Sequence, residues 1–327
     1  RYSKDSRQSG LQELGNGTVL LATHFHDQDL SNEGEFNDRY FVNLHKWLGK
    51  RGRSVVVIPI SEPEGNLIQR FRRMRQSRST FVIPEDFLKL ADYIGAIADS
   101  LRGWLYPRRI DRIAGLNMRA TVLETRCKQG SSNSIRRASL LSRLPHQMRR
   151  SGFRPDIILA WSENRLWDRA LAMGFRRAFP LSPFTAFQGD TFLENALCAF
   201  PSPQECGSGI VADRVVCNGP GPARILRNGS GGRLKVDVGC ALRYGYLWSK
   251  QSNRAPVLER GRLNVLVALS IFRSFTYEAL DVLASVIPGR TDIDWHIKPH
   301  PVQGAEDLLD LLGPKVLERV RVVKGSF

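Results

Sequence analysis

The sequence predicts an α/β protein of two Rossmann-like domains, the second incomplete, and three observations carry that reading. Short apolar runs bounded by glycine and polar residues recur along the 327-residue chain and read as strands buried on both faces. Segments with apolar residues at helical spacing separate them, giving the strand–helix–strand rhythm of a parallel sheet. That rhythm fades in a polar, Pro-containing stretch and then restarts, so residues 1–250 form one domain, 251–262 a linker and 263–327 part of a second domain.

In chain order, Gly17–Phe25 is the first apolar run, and Phe36, Tyr40, Phe41, Leu44 and Leu48 then share a helical face over 36–49. Ser54–Ile60 is the next strand, followed by an arginine-studded segment at 66–78 and a helix over 85–101 that Pro84 opens. A basic helical insertion, about 102–154, is expected as a solvated layer. Then come a strand over 154–161, a helix from Glu163 to Gly174 and short strands at 184–189 and 197–200. Further strands are expected at 214–219 and 234–239. The second domain reads as strand 263–269, helix 275–287, strand 294–298, helix 305–312 and strand 321–323. About 65 residues do not complete a doubly wound sheet, so the chain is expected to be truncated at this end.

With 42% apolar and 24% charged residues the chain is globular rather than disordered. It has no uninterrupted apolar run long enough for a membrane helix and no leader-like start, which leads to an expectation of a cytoplasmic protein. Five widely spaced cysteines (127, 198, 206, 217, 240) suit reduced thiols better than a disulfide framework or a zinc site. The formal charge is +16, and between Arg102 and Arg154 13 Lys/Arg stand against two acids. Such a patch favours an anionic partner. A phosphate-rich membrane surface fits 102–154; nucleic acid is disfavoured, because no matching recognition motif accompanies the charge.

Ligands of parallel sheets bind beyond the carboxyl ends of the strands, which directs attention to the residues that follow each one. After the first strand stand His24 and His26, in a segment also bearing Asp27 and Asp29. With no further ligands in view they line an acceptor site or the cleft, or form a plain loop, rather than hold a metal. Glu163 and Asn164 follow the strand ending at Trp161, Gln188 follows the next, and Asp168 is a weaker candidate beside them. Glu163 is the preferred general base. In the second domain Ser270 follows one strand, and the other runs into Lys298-Pro-His-Pro301. Proline on both sides restricts His300, so its imidazole meets a phosphate oxygen with little entropy to lose. Lys298 adds charge.

Two βα domains with Lys-Pro-His-Pro301 after the second strand of the latter resemble GT-B glycosyltransferases that use CMP-linked sugars. Sialyltransferases and Kdo transferases of bacterial surface polysaccharides, including lipopolysaccharide, are such enzymes. The segments 154–164 and 243–248 are also similar to surface-carbohydrate biosynthesis proteins. The resemblance covers roughly 154–327. It implies that His300 contacts the donor phosphate, and that the co-substrate is a nucleotide-sugar, with a CMP-linked ulosonic acid favoured, and no other cofactor or metal. It also implies that a glycan or lipid-linked acceptor receives the sugar. The alternatives are a polyol-phosphate transferase, a GT-B-like sugar epimerase, or a non-catalytic basic nucleic-acid-binding protein.

Overall fold

The computed structural model describes residues 17–60, 66–105, 112–113, 115–130, 133–190, 197–245, 262–300 and 312–323. The chain divides into two compact units, Arg1–Lys250 and Gln251–Phe327.

The first unit is built on seven parallel strands: β1 (Val19–His24), β2 (Val55–Ile60), β3 (Thr80–Phe81), β6 (Ile157–Trp161), β7 (Phe184–Gln188), β8 (Arg214–Cys217) and β9 (Lys235–Val238). A small antiparallel pair, β4 (Arg112–Ile113) and β5 (Leu116–Asn117), stands apart from them. The order across the main sheet is β3-β2-β1-β6-β7-β8-β9. The chain therefore builds outward from β1 to one edge, returns, and lays β6 against the other side of β1. That reversal makes the carboxyl ends of β1 and β6 the topological switch point, where an open parallel sheet leaves a crevice.

The central strands are apolar on both faces because helices cover both. Leu20, Leu21 and Ala22 of β1 are fully buried, as are Val56 and Ile58 of β2 and Ile158 of β6. Pro59 explains why β3 is so short. Phe25 N donates to Ile60 O toward β1, and Val82 N to Val57 O toward β3, so alternation turns the position of Pro59's missing N–H to the β3 side. The β2–β3 ladder pairs only Val56 and Val57.

The helices depart from the expected pattern in instructive ways. The helix expected over 36–49 is only α1 (Leu44–Gly49). Before it, Asp38 accepts hydrogen bonds from Tyr40 N at 2.8 Å, Phe41 N at 3.1 Å and Thr23 Oγ1 at 3.1 Å, and Val42 takes φ 51°. The carboxylate offers the backbone a tight turn in place of a helix, and Phe36 and Phe41 are buried from a loop. The 66–78 segment forms α2 (Leu67–Gln76), capped by Asn66, whose Oδ1 accepts from Ile68 N and Gln69 N. The expected 85–101 helix is two, α3 (Pro84–Phe87) and α4 (Leu90–Leu105), broken where Leu88 becomes extended. Next come α5 (Arg119–Gly130) and α6 (Asn133–Arg150).

The solvated layer expected for 102–154 is not what α6 forms. Its Leu141, Leu144 and Met148 lie in the main core, and Ala138 is buried beside them in sequence, all at 0–5% exposure. Arg136, Arg143 and Arg150 turn away from this stripe, while the half-buried Arg137 extends it at the helix start, so a strongly basic helix still presents an apolar face. It packs on α7 (Leu166–Ala178) with Gly174 at the crossing, where a Cβ would stand 2.5 Å from Ser142 O. The expected 197–200 strand is a 3-10 turn at Leu197–Ala199, followed by α8 (Pro203–Gly207) and α9 (Pro220–Gly229).

The second unit holds β10 (Leu263–Ala268), α10 (Arg273–Val286), β11 (Ile293–Lys298), α11 (Pro314–Leu317) and β12 (Val320–Val322). Its three strands are parallel in the order β10-β11-β12, over a core that includes Leu280, Ile287 and Ile297. Linker residues 251–261, Pro301 and all but the last residue of the helix expected over 305–312 lie outside the described residues. No helix among the described residues is long and apolar enough to cross a membrane.

Candidate active site at the strand-order reversal

The carboxyl ends of β1, β6 and β7 bring together His24, Glu163 and Asp190, with Tyr40, Arg165, Trp167 and Arg243 around them. The arrangement starts from Trp161, the last residue of β6, which is fully buried. Its ring meets Tyr40 edge-on at 4.8 Å and lies 5.8 Å from Phe41 and 5.7 Å from Phe187. Gly189 permits this placement: a Cβ there would stand 1.9 Å from the far edge of the indole. Held so, Trp161 donates from Nε1 to Glu163 Oε1 at 3.1 Å. Glu163 also forms an ion pair with Arg165.

Glu163 is not in the first turn of a helix, as its sequence position suggested, and Ser162 is not the cap. The helix begins at Leu166, and the capping carboxylate is that of Asp168. Asp168 Oδ2 accepts from both Glu163 N and Arg165 N at 2.9 Å, which fixes the backbone that carries Glu163. Burial raises the Asp168 carboxyl to about 7, against the two hydrogen bonds that favour its charged form. Its Oδ1 is buried without a partner among the described residues.

Asp190 is the second carboxyl of the site, and the sequence reading stopped two residues short of it. Burial raises it to about 6, and its hydrogen bond to Glu163 and that group's charge act in the same direction. Arg243, 3.2 Å away, and Arg165 oppose the rise. Asp190, beside the Glu163 carboxylate and two guanidiniums, is thus poised to change charge near pH 6, as a general acid–base group requires. Gln188 serves this pair through position. It is buried, and its Oε1 accepts from Asp190 N at 2.8 Å.

His24 closes one side, its ring 5.2 Å from Tyr40 and 6.3 Å from Trp167. Burial, with Arg165 next in weight, lowers it to about 4, so the imidazole is neutral at physiological pH. Its Nε2 is buried without a partner among the described residues. His26 lies just beyond β1 and is exposed, its backbone N donating to Asp29 Oδ2 at 2.7 Å. Asn164 is a staple: at φ 57° it donates from Nδ2 to Cys198 O at 3.0 Å and accepts from Arg169. Among the described residues no group of three His, Cys, Asp or Glu is arranged to hold a metal ion.

In the second unit, the pairing of Ala268 with Lys298 sets the two strand ends side by side. Ser270 and His300 each follow two residues later, at the same edge of that sheet. Ser270 Oγ accepts from Phe272 N at 3.1 Å, and Ser270 O from Thr276 Oγ1 at 3.0 Å, which shapes the entrance to α10. Lys298 is buried at 7% exposure, and its carbonyl accepts from Leu269 N. Asp292 pairs with Arg290 before β11, away from this edge.

No family model matches the chain, and no curated protein matches it. Among solved structures the chain is similar to a co-structure of MnaA from S. aureus with UDP. The identity is 10%, the match covers 94% of this chain and 68% of that one, and the TM-score is 0.47. At that level of likeness the fold and the site stand on this chain's own residues.

Proposed function

We propose that the protein is a glycosyltransferase that moves a sugar from a nucleotide donor, with a CMP-linked ulosonic acid favoured, to a surface glycan or glycolipid. The observation that carries this reading is the Glu163–Asp190 pair at the strand-order reversal. Above about pH 6 Asp190 is charged, and a carboxylate of this pair can take the proton of an acceptor hydroxyl. The acceptor oxygen then attacks the anomeric carbon, and the bond from that carbon to the phosphate oxygen of the nucleotide breaks. In this reading His300, with Ser270 and Lys298 near it, binds the phosphate of the nucleotide. Arg165 and Arg243 hold the carboxyls in register and moderate their charge. His24, neutral and aromatic-packed, lines the acceptor side, and neither half requires a metal. The basic surface of 102–154 suits an anionic membrane bearing the acceptor.

The test is the thermal stability of the full-length protein with CMP, CDP, UDP and GDP. CMP is expected to raise the Tm and His300→Ala to abolish the rise. A rise with UDP and none with CMP overturns the donor assignment. An undiminished CMP effect in His300→Ala overturns the phosphate role.

A further inference from the structure

Beside the carboxylate pair lies a cavity of about 440 Å³, within the roughly 300–1,000 Å³ typical of small-molecule sites. It opens beyond Pro59 at the carboxyl end of β2, among α2, α3, α4 and α6. Its walls are mostly apolar, formed by Leu67, Phe71, Met74, Leu88, Leu140 and Trp167. Trp167 is shared: one side of its ring faces this cavity, and His24 and Arg165 pack on it from the active-site side. Its polar lining consists of Glu85, Tyr93, Asn133, Ser134, Arg136 and Arg137. Arg136 and Arg137 stand in the first turn of α6, opposed by the single acid Glu85. The positive end of that 18-residue helix adds to the two guanidiniums.

A second observation lies next to the cavity. On α4 the residues Leu90, Ile94, Ile97 and Leu101 form a stripe at spacings of four, three and four, and each is more than half exposed. Tyr93, which lines the cavity, flanks this stripe, and Lys89 and the largely exposed Arg102 stand at its two ends. A solvent-facing apolar stripe bracketed by cations is the pattern of a helix seated at a lipid interface.

Together these features point to a ligand that is apolar along its length and anionic at one place. We propose that the cavity holds the lipid-phosphate portion of the acceptor, drawn from a membrane surface on which the α4 stripe rests. The chain lies among the apolar walls, and the phosphate meets Arg136 and Arg137. The word acceptor rests on the transferase reading given above; the binding of a lipid phosphate does not. A nucleotide fits the cavity less well, since most of its lining residues are apolar.

The experiment measures binding to the full chain by calorimetry, using dodecyl phosphate below its micellar concentration, inorganic phosphate and CMP. Dodecyl phosphate is expected to bind at least about tenfold more tightly than inorganic phosphate, because burying two methylenes already supplies that factor. Arg136→Ser with Arg137→Ser, and separately Leu140→Arg, should each weaken it by about tenfold or more. Arg136 is exposed and Arg137 half-buried near the start of α6, and neither is in the core, so the double variant is expected to fold even where Leu140→Arg does not. Equal affinity for dodecyl and inorganic phosphate overturns the proposal, as does indifference to the arginine substitutions. Displacement of dodecyl phosphate by CMP also overturns it, since the cavity would then be a nucleotide site. The two readings fail separately: dodecyl phosphate binding without stabilisation by CMP, CDP, UDP or GDP removes the transferase and keeps the lipid-phosphate site. CMP stabilisation that depends on His300, without dodecyl phosphate binding, does the reverse.

Discussion

Asp168→Asn offers a direct test of how the site is held. Asp168 does two opposed things at once. Its charge caps α7 and sits at the positive end of the helix, effects together worth about 1–2 kcal/mol. Yet it is 93% removed from solvent with one oxygen unpartnered, and its carboxyl is carried from the usual 3.8 to about 7. A raised value in the fold means that the charged form is the disfavoured one. The group's contribution to stability is therefore full below about pH 4 and is lost as pH rises toward 7, at about 1.4 kcal/mol per pH unit. Asparagine keeps an acceptor for the N–H groups of Glu163 and Arg165 but does not titrate. The urea-unfolding free energies of the two proteins, measured from pH 5 to pH 8, should thus diverge. The variant is expected to gain about 2–3 kcal/mol on the parent across that range, nearly all of it below pH 7. Groups that both proteins share, such as Asp38, drop out of the difference. A constant difference would refute the burial argument. A parent that gains on the variant as pH rises would show that capping outweighs burial.

Other outcomes follow from the same geometry. Gly189→Ala places a methyl 1.9 Å from the Trp161 ring and should destabilise the first unit by about 1–3 kcal/mol in chemical denaturation, with a changed near-ultraviolet tryptophan signal; an unaltered midpoint would reject the contact. Under the transferase reading, the rate of sugar transfer should climb as pH rises through about 6, where Asp190 loses its proton. Asp190→Asn should remove that limb, and a limb persisting near pH 6 in the variant would assign it to another group.

The fold was largely legible because its signals are local. β1, β2 and β6 read as strands from apolar runs alone, since a parallel sheet covered on both faces leaves no polar alternation to confuse with another pattern. What failed was local competition. Phe36, Tyr40, Phe41 and Leu44 have helical spacing, but the Asp38 side chain captures two backbone N–H groups and converts the stretch to a turn. The 102–154 segment misled in another way. Its charge suggested a solvated layer, whereas α6 devotes one face to the core and turns Arg136, Arg143 and Arg150 away from it.

The site was legible only where a residue directly follows a strand. His24, Glu163 and Gln188 were found by that rule, but their roles depend on residues that no short pattern joins to them. Arg243 reaches Asp190 across 53 residues of sequence, and Tyr40 meets Trp161 across more than a hundred. Asp190 itself lies two residues past β7, beyond a glycine that reads in sequence as an ordinary turn. The structure gives that glycine a different cause: a side chain there would expel Trp161, and with it the N–H that orients Glu163. Gly189 and Asp190 are therefore one feature. The first lets the indole reach the strand end, and the second supplies the carboxyl that Glu163 is oriented to meet. A strand ending in Gly-Asp beside a strand ending in Trp-x-Glu is the sequence mark of this pair. It becomes readable only once the strand order sets β6 and β7 side by side.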